Sequence, residues 1–298
     1  MEIKKMNSFL HALLMALAFG EFSGHMKNSR AQIIGGVQAE ATDFPYHALV
    51  MRVERIEGTP NFHLCSGTIY SKFKIITAAH CVNYEDKMLI RVGSKNISSG
   101  GETREILPQN RVIHFKYNES TMKYDIAVLL VSEALPIGTA TIDKIDLVEK
   151  NYEYVDNTML TVAGFGGTEY TEDIEKIKYS DTLQYLDVPV ANFKKCQTRY
   201  AVKRRSQFRV TDKHFCAGYY DNKRCFFYGD SGGPIVDRAR NKQVGIVSSS
   251  LPNLPGVFVK LSDPEFQDWI EKLNFKTAKK LFKEIQIASS STQKPRWK

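Results

Sequence analysis

Short apolar runs are the feature that most restricts how this 298-residue chain can fold. Between Ile33 and about Leu261 these runs are four to six residues long, as in 74–77, 126–131 and 244–247, and many of their residues are β-branched. Gly, Ser, Asn or Pro bounds each run, which is typical of strands separated by turns. Many short strands without a repeat of fixed period predict an all-β sandwich or barrel.

Helical patterns occur late in the chain. The sequence Ser262-Asp263-Pro264-Glu265 has the form of a capping box with a proline early in the helix. Apolar residues follow at helical spacing, namely Phe266, Trp269, Ile270, Leu273, Ala278, Leu281, Phe282 and Ile285. The basic segment 276–298 leaves two interpretations open: it packs against the body of the protein, or it binds a membrane or a partner.

The N-terminus has the pattern of an export signal. Two lysines precede an apolar run over 9–19, and small residues suit cleavage after Gly20. We therefore predict a signal peptide over 1–20 and a secreted, extracellular protein. We expect no transmembrane segment, because a spanning helix needs about 20 apolar residues. Two N-glycosylation triplets, which begin at Asn96 and Asn118, agree with export.

The net charge of +8 lies at the two ends of the chain. Residues 1–32 carry a net +2 and residues 271–298 a net +6, so the body between them is neutral. A nucleic-acid-binding domain usually has its own basic face, so we expect no nucleic-acid partner. A local basic cluster before Cys216 is either an exosite for an acidic substrate or polyanion, or a solvated loop. It consists of Lys194, Lys195, Arg199, Lys203, Arg204, Arg205 and Arg209.

Three motifs carry side chains that suit nucleophilic catalysis. They are Thr77-Ala78-Ala79-His80-Cys81, then Tyr124-Asp125-Ile126, then Gly229-Asp230-Ser231-Gly232-Gly233-Pro234. A serine hydroxyl is a weak nucleophile at neutral pH and needs an adjacent base. Imidazole can accept and return a proton near neutrality. In this order, with Ile33-Ile34-Gly35-Gly36 upstream, the motifs make the chain resemble the chymotrypsin/trypsin family of secreted serine proteases over about residues 33–275.

The resemblance implies two six-stranded antiparallel β-barrels followed by a C-terminal α-helix, in a protease domain over 33–275. The first barrel would span about 33–145 and the second about 146–262, with the active site in the cleft between them. A propeptide over 21–32 would precede the domain, and a basic extension over 276–298 would follow it. Closed barrels leave no exposed sheet edge, which suits a secreted protease.

The resemblance also assigns catalytic roles. Ser231 is expected as the nucleophile, His80 as the general base and acid, and Asp125 as the carboxylate that orients the imidazole. The backbone N–H groups of Gly229 and Ser231 would form the oxyanion hole, where one donor is worth about 3–4 kcal/mol. We expect protein or peptide substrates, protein inhibitors, no cofactor, no metal site and a monomeric state.

Activation is expected to follow cleavage before Ile33. In the family, the freed α-amino group inserts and pairs with the Asp that precedes the nucleophile, here Asp230. However, Gln32 stands where the family usually has Arg or Lys, and the nearest basic residue is Arg30. Three alternatives stay open: an unusual protease cuts after Gln32, trimming follows cleavage after Arg30, or the protein stays poorly activated.

The specificity pocket departs further from the family pattern. Cys225 stands at the pocket base, where trypsins have an Asp, and Phe226 follows it. Without an acid at the base, we expect a small or apolar substrate residue rather than Arg or Lys, with Phe226 partly filling the pocket. The other expected pocket residues are Ser248, which begins the segment that pairs with the substrate backbone, and then Ser250 and Gly256.

Five cysteines leave one without a partner. A further disulfide of the family is absent, because Phe227 replaces one of its cysteines and the partner segment 251–256 contains none. Cys225 is left as a buried free thiol or as one that pairs with another molecule. The resemblance implies two disulfides, each stabilising the fold by about 2–4 kcal/mol: Cys65–Cys81 and Cys196–Cys216.

These patterns favour a secreted serine endopeptidase that is made as a zymogen. The alternative is a catalytically weak protease homologue that acts as a binding or regulatory protein. Gln32, Cys225 and Phe226 favour that alternative, whereas the complete set of three motifs favours the enzyme. A third hypothesis, polyanion binding through the basic ends, requires the C-terminal segment to be more than a solvated helix.

Overall fold

The structure is a computed structural model that describes residues 33–292 apart from 57–58, 85, 170, 172–175, 204–207 and 222. The predicted signal peptide (1–20), the predicted propeptide (21–32) and the last residues of the basic extension (293–298) lie outside the described residues.

Fifteen strands and three α-helices occur in this described part of the chain. The strands are β1 (Val37–Gln38), β2 (His47–Ile56), β3 (Thr59–Ser71), β4 (Lys74–Thr77), β5 (Lys87–Val92), β6 (Glu102–Ile106), β7 (Arg111–Ile113), β8 (Ala127–Leu130), β9 (Asp146–Leu147), β10 (Met159–Gly164), β11 (Gln184–Ala191), β12 (His214–Ala217), β13 (Pro234–Asp237), β14 (Lys242–Ser249) and β15 (Gly256–Lys260). The helices are α1 (Phe193–Lys203), α2 (Pro264–Lys272) and α3 (Phe275–Thr292).

The C-terminal half forms a closed barrel of six antiparallel strands. Their order is β11-β10-β13-β14-β15-β12, and β12 pairs back with β11. Side chains such as Val162, Phe215 and Phe258 fill its interior. The apolar faces of the short strands predicted from the sequence are therefore buried inside a barrel, where alternate residues point inward.

The N-terminal half forms a curled sheet of seven strands in the order β6-β5-β2-β3-β4-β8-β7. The sheet stays open between β6 and β7. There the guanidinium of Arg111 donates to the carbonyls of Tyr84 at 2.8 Å, Asp86 at 2.7 Å and Ile106 at 3.2 Å. The Arg111 side chain thus satisfies backbone carbonyls at the gap where pairing of β6 with β7 would close the sheet.

The predicted all-β architecture is confirmed, with two differences in detail. The N-terminal sheet has seven strands and stays open instead of closing as a six-stranded barrel. Strand β1 belongs to the C-terminal sheet, because Val37 and Gln38 pair with β11, although the sequence placed all of 33–145 in the first barrel. Both predicted disulfides form, and among the described cysteines Cys225 is free.

The C-terminal helices begin at side-chain caps. The N-cap of α2 is Asp263, whose Oδ1 accepts from the N–H of Glu265 at 2.9 Å, and not Ser262 as the capping-box pattern suggested. The helical pattern is divided at Asn274, which caps α3 by accepting two backbone N–H groups. Helix α3 then packs on the N-terminal core through Ala278, which is 2 % exposed. No helix of the described chain is long and apolar enough to cross a membrane.

Candidate active site

A hydrogen-bonded pair of His80 and Asp125 lies at the centre of the site. His80 lies on a 3₁₀ turn, Ala79–Cys81, directly after β4, and Asp125 lies just before β8, which pairs with β4. Nδ1 of His80 is 2.8 Å from Oδ2 of Asp125, and the backbone N–H of His80 donates to Oδ1 at 2.9 Å. Ser248, near the end of β14, donates its hydroxyl to the same Oδ2 at 2.6 Å. Groups from both sheets therefore fix the carboxylate.

The electrostatics of this pair suit proton transfer. Burial opposes the charged form of His80, but the charge and hydrogen bond of Asp125 outweigh burial and raise the pKa of His80 above its ordinary value. Burial also opposes ionisation of Asp125, yet His80 and the Ser248 hydroxyl hold the pKa of Asp125 below its usual value. The Asp125 side chain is fully buried and the His80 side chain is 25 % exposed, so the imidazole keeps one accessible side.

Ser231 lies on the loop between β12 and β13, which is fastened to both sheets. Its carbonyl accepts from the N–H of Ser66 in β3 at 2.7 Å, and the N–H of Gly232 donates to β14 at 2.8 Å. Gly232 has a φ of +81°, and a Cβ there would lie 2.2 Å from Oγ1 of Thr77, so this close approach requires glycine. Ser231 and His80 line one cavity of about 370 Å³, although no hydrogen bond joins these two described side chains.

The backbone beside Ser231 offers free hydrogen-bond donors. The carbonyl of Tyr228 accepts from the N–H of Gly167 at 2.8 Å, so the N–H of Gly229, at the other side of the same trans peptide, points away from Gly167. Within the described residues, neither this N–H nor that of Ser231 donates to a protein acceptor. Gly229 has a φ of +101°, and its carbonyl accepts from Oγ of Ser66 at 3.0 Å. Two donors near the hydroxyl are thus available to an oxyanion.

Asp230 and Ile33, the predicted activation pair, are both completely buried. The carboxylate of Asp230 accepts from the N–H groups of Gly166 at 2.8 Å and Phe227 at 2.9 Å. No cation among the described residues pairs with it, and burial raises the pKa of Asp230 to about 7 despite these two donors. Ile33 packs in the core of the C-terminal barrel. In the uncut chain it has no free amino group, so the ion pair stays a prediction.

The ring of Phe226 fills the space beside Gly256. Phe226 is 3 % exposed, and its ring centroid is 5.0 Å from that of Phe258. A Cβ added at Gly256 would lie 1.8 Å from Cζ of Phe226, so the ring rests directly on the glycine backbone. Oγ of Ser250 donates to the carbonyl of Phe226 at 3.3 Å. The ring therefore packs against Gly256 and Phe258 and belongs to the barrel core.

The comparisons with known proteins agree with this geometry. A family model described as Trypsin matches residues 33–270, which is most of the chain. The chain belongs to the trypsin family. Hypodermin-A of Hypoderma lineatum is 34 % identical over 249 residues, covering 80 % of this chain and 87 % of that protein. A trypsin of Phaedon cochleariae is 32 % identical over 255 residues, covering 82 % and 89 %.

A solved trypsin-like structure also resembles the chain. It is the scabies mite inactivated protease paralogue S-D1, with a TM-score of 0.69 and 26 % sequence identity over 80 % of this chain and 97 % of that one. This neighbour is described as inactivated, so membership of the trypsin family alone does not establish turnover.

The pocket residues expected from the trypsin family separate into two groups in the structure. Phe226, Ser248 and Ser250 line the cavity that contains Ser231. Cys225 does not line it. Its backbone N–H donates to the carbonyl of Ile34 at 3.1 Å in an isolated β-bridge, and burial raises the pKa of its thiol to about 11. Gly256 lies behind the Phe226 ring and is likewise absent from the cavity wall.

Two positioning residues in this trypsin-family site were not found from the sequence. Ser66 holds the nucleophile loop through its own N–H and hydroxyl, and Gly167 holds the peptide before Gly229. Both are small residues in stretches without a distinctive spacing. Only the neighbouring Cys65, through its predicted disulfide, marked the segment of Ser66 as close to His80.

Proposed function

We propose that the protein is an exported serine endopeptidase that hydrolyses peptide bonds through an acyl-enzyme on Ser231. The single observation that supports this most is the cavity shared by Ser231 and His80, with the imidazole held by buried Asp125. The proposed organisation is a signal peptide over 1–20, a propeptide over 21–32, a catalytic domain over 33–275 and an extension from 276.

In the proposed mechanism, Oγ of Ser231 attacks the substrate carbonyl while its proton passes to Nε2 of His80. Asp125 stabilises the resulting imidazolium and keeps the ring in the tautomer that presents Nε2. The free N–H groups of Gly229 and Ser231 bind the oxyanion of the tetrahedral intermediate. His80 then returns the proton to the leaving amine, and a water molecule repeats the sequence to release the acyl group.

Activation in this proposal follows cleavage of the Gln32–Ile33 bond. The new α-amino group of Ile33 would pair with Asp230, which is buried beside two N–H groups and has no described cation as a partner. Burying a lone carboxylate is unfavourable, so an inserted amine would stabilise the loop that carries Gly229.

The proposed substrate residue before the scissile bond is small. The ring of Phe226 takes up the space that a large side chain would enter, and Cys225 supplies no negative charge for Arg or Lys. We therefore expect cleavage after Gly, Ala or Ser and negligible cleavage after Arg. Replacing Phe226 by Ala should extend cleavage to larger apolar residues. The control Phe44→Ala removes a buried ring that does not line the cavity and should leave the preference unchanged.

Fluorophosphonate labelling tests the proposed chemistry directly. The protein is prepared so that the mature chain begins at Ile33, and the matched control is Ser231→Ala. Labelling that the control abolishes supports an assembled triad, and peptides that differ only in the residue before the scissile bond then measure the preference. Absence of labelling in a chain with a confirmed Ile33 terminus contradicts the proposal.

A catalytically weak homologue is the second candidate, because one specific observation favours it. The Phe226 ring lies directly against Gly256, another residue expected in the substrate pocket, which would leave less room for a substrate side chain. In addition, S-D1 of the scabies mite is described as an inactivated protease paralogue. This candidate predicts one of two results. Either Ser231 is not labelled, or it is labelled but no peptide is cut, whichever residue, including Gly and Ala, precedes the scissile bond.

A further inference from the structure

Helix α1 carries a basic face that helix stability does not explain. Four exposed cations and no acidic residue lie within Phe193–Lys203, namely Lys194, Lys195, Arg199 and Lys203. Two of them lie in the first turn, where the helix dipole disfavours positive charge. Three of them follow at intervals of four residues, where like charges repel. None of the four forms an ion pair within the described residues, so no paired carboxylate there offsets the repulsion.

The helix is fixed to the protein through its opposite face. Cys196 and Tyr200 are completely buried, and Cys196 is joined to Cys216 in β12 by a disulfide. The hydroxyl of Tyr200 donates to the carbonyl of Pro255 at 2.9 Å. The row formed by Lys195, Arg199 and Lys203, which we call the α1 cationic row, is therefore presented to solvent by a rigid support.

The α1 cationic row begins at the wall of the active-site cavity. Nζ of Lys203 donates to the carbonyl of Pro252, and Pro252 lines the cavity together with Ser231. Along the helix, the row extends from Lys203 through Arg199 to Lys195, about 12 Å at 1.5 Å per residue. Nζ of Lys195 lies 4.5 Å from the ring centroid of Tyr220 at the far end. The carboxylate of Asp156 accepts from the side-chain amide of Asn192, the residue that precedes α1, at 2.8 Å.

We propose that the α1 cationic row is an exosite that binds an acidic segment of the protein substrate. This inference rests on the proposed function, since it requires a substrate chain to leave the cavity past Ser250 and Pro252. A peptide on that course meets Lys203 first, and then Arg199 and Lys195. Carboxylates at successive positions complement these side chains, whereas the body of the protein as a whole is neutral and offers no general attraction.

The test separates binding from catalysis by using the full mature chain with Ser231→Ala. Fluorescence anisotropy measures its affinity for a labelled peptide that has Ala before the scissile bond and four Glu residues upstream, and for the same peptide with four Gln residues. At low ionic strength we expect about ten-fold tighter binding of the Glu peptide, since each exposed pair contributes modestly. The preference should fade as added salt screens the charges.

Matched charge variants identify the surface. The triple variant Lys195→Gln, Arg199→Gln and Lys203→Gln should remove the preference for the Glu peptide. The control triple variant Lys276→Gln, Lys279→Gln and Lys283→Gln lowers the net charge equally on α3 and should keep it. Circular dichroism spectra and fluorophosphonate labelling of the same variants with Ser231 intact check that the fold and site are preserved.

Two outcomes overturn the exosite: equal affinity for both peptides, and equal loss of the preference in both triple variants. If the two affinities are equal but the α1 cationic row retains a sulfated polysaccharide, the row binds a polyanion and not a substrate segment. Fluorophosphonate labelling is measured separately, so a failure of the proposed enzyme chemistry is recognised even when the Glu peptide binds.

Discussion

The buried carboxylate of Asp230 should make the uncut protein less stable as the pH rises. Asp230 has a pKa of about 7 in the folded chain, against 3.8 as its ordinary value, because burial outweighs the two N–H groups that it accepts. Between these values the folded chain holds a proton that the unfolded chain has lost. The stabilisation that protonated Asp230 contributes is therefore fully present below about pH 4, and it is lost as the pH rises to about 7.

The size of this loss follows from the two pKa values. Each pH unit between them corresponds to about 1.4 kcal/mol, so the uncut chain should lose on the order of 4 kcal/mol between pH 4 and 7. Above pH 7 the contribution of Asp230 should be constant. In a chain that begins at Ile33, an amine partner lowers the pKa of Asp230 and stabilises the ionised form, so this loss of stability between pH 4 and 7 should disappear.

Urea unfolding of the uncut chain from pH 4 to 8 measures this effect, with Ser231→Ala in every sample to prevent self-cleavage. The comparison variant is Asp230→Asn, which does not titrate. The Asn side chain replaces one carboxylate oxygen of Asp230 by an NH₂ group, which shifts the free energy of unfolding by the same amount at every pH. The slope of the free energy of unfolding against pH is therefore the readout. Buried His47, whose pKa is lowered to about 3 by burial, is present in both proteins and cancels. Parallel pH profiles for the two proteins would refute the reasoning.

Three further perturbations test the contacts of the site. Ser248→Ala removes the 2.6 Å hydrogen bond to Asp125. Because hydrogen bonds to buried charges are worth roughly 1.5–3 kcal/mol, kcat/KM for a peptide with Ala before the scissile bond should fall about ten-fold. An unchanged kcat/KM would contradict a role for this hydrogen bond. Gly256→Ala should destabilise the fold by about 1–3 kcal/mol, and Phe226→Ala by about 3–5 kcal/mol. In urea unfolding the double variant should lose less stability than the sum of the two, because removing the ring makes room for the new methyl group. Strict additivity would show that the two residues do not compete for space. Cys196→Ser opens the disulfide that anchors α1 and should lower stability by about 2–5 kcal/mol, measured by thermal melting under non-reducing conditions, and an unaltered melting temperature would count against this anchor.

The three side chains of the candidate site could be located from the sequence because each lies beside a local pattern. Asp125 immediately precedes the apolar run of β8, and His80 follows the β-branched run of β4, so the pairing of these strands brings the two side chains together. Ser231 lies in a glycine-rich turn whose φ values only glycine adopts easily. In each case the information lies within a few residues of the functional side chain.

The open edge of the N-terminal sheet could not be predicted in this way. At this edge the guanidinium of Arg111 satisfies carbonyls on two other segments of the chain. The sequence shows an arginine at the start of a short apolar run, which usually lies on the surface. Whether such a side chain faces water or completes a sheet edge is decided by the positions of distant backbone acceptors.

The orientation of Phe226 also depends on distant contacts, and it links the proposed substrate preference to the stability of the fold. Spacing places Phe226 at the pocket, but its ring can lie there only because Gly256, on another strand, leaves room for it. The same ring is part of the barrel core, so removing it to open the pocket would cost about 3–5 kcal/mol of a typical total of 5–15 kcal/mol. A variant that accepts large substrate residues should therefore need a second stabilising change, and the loop of Phe227, where the family has a disulfide, is where we would introduce it.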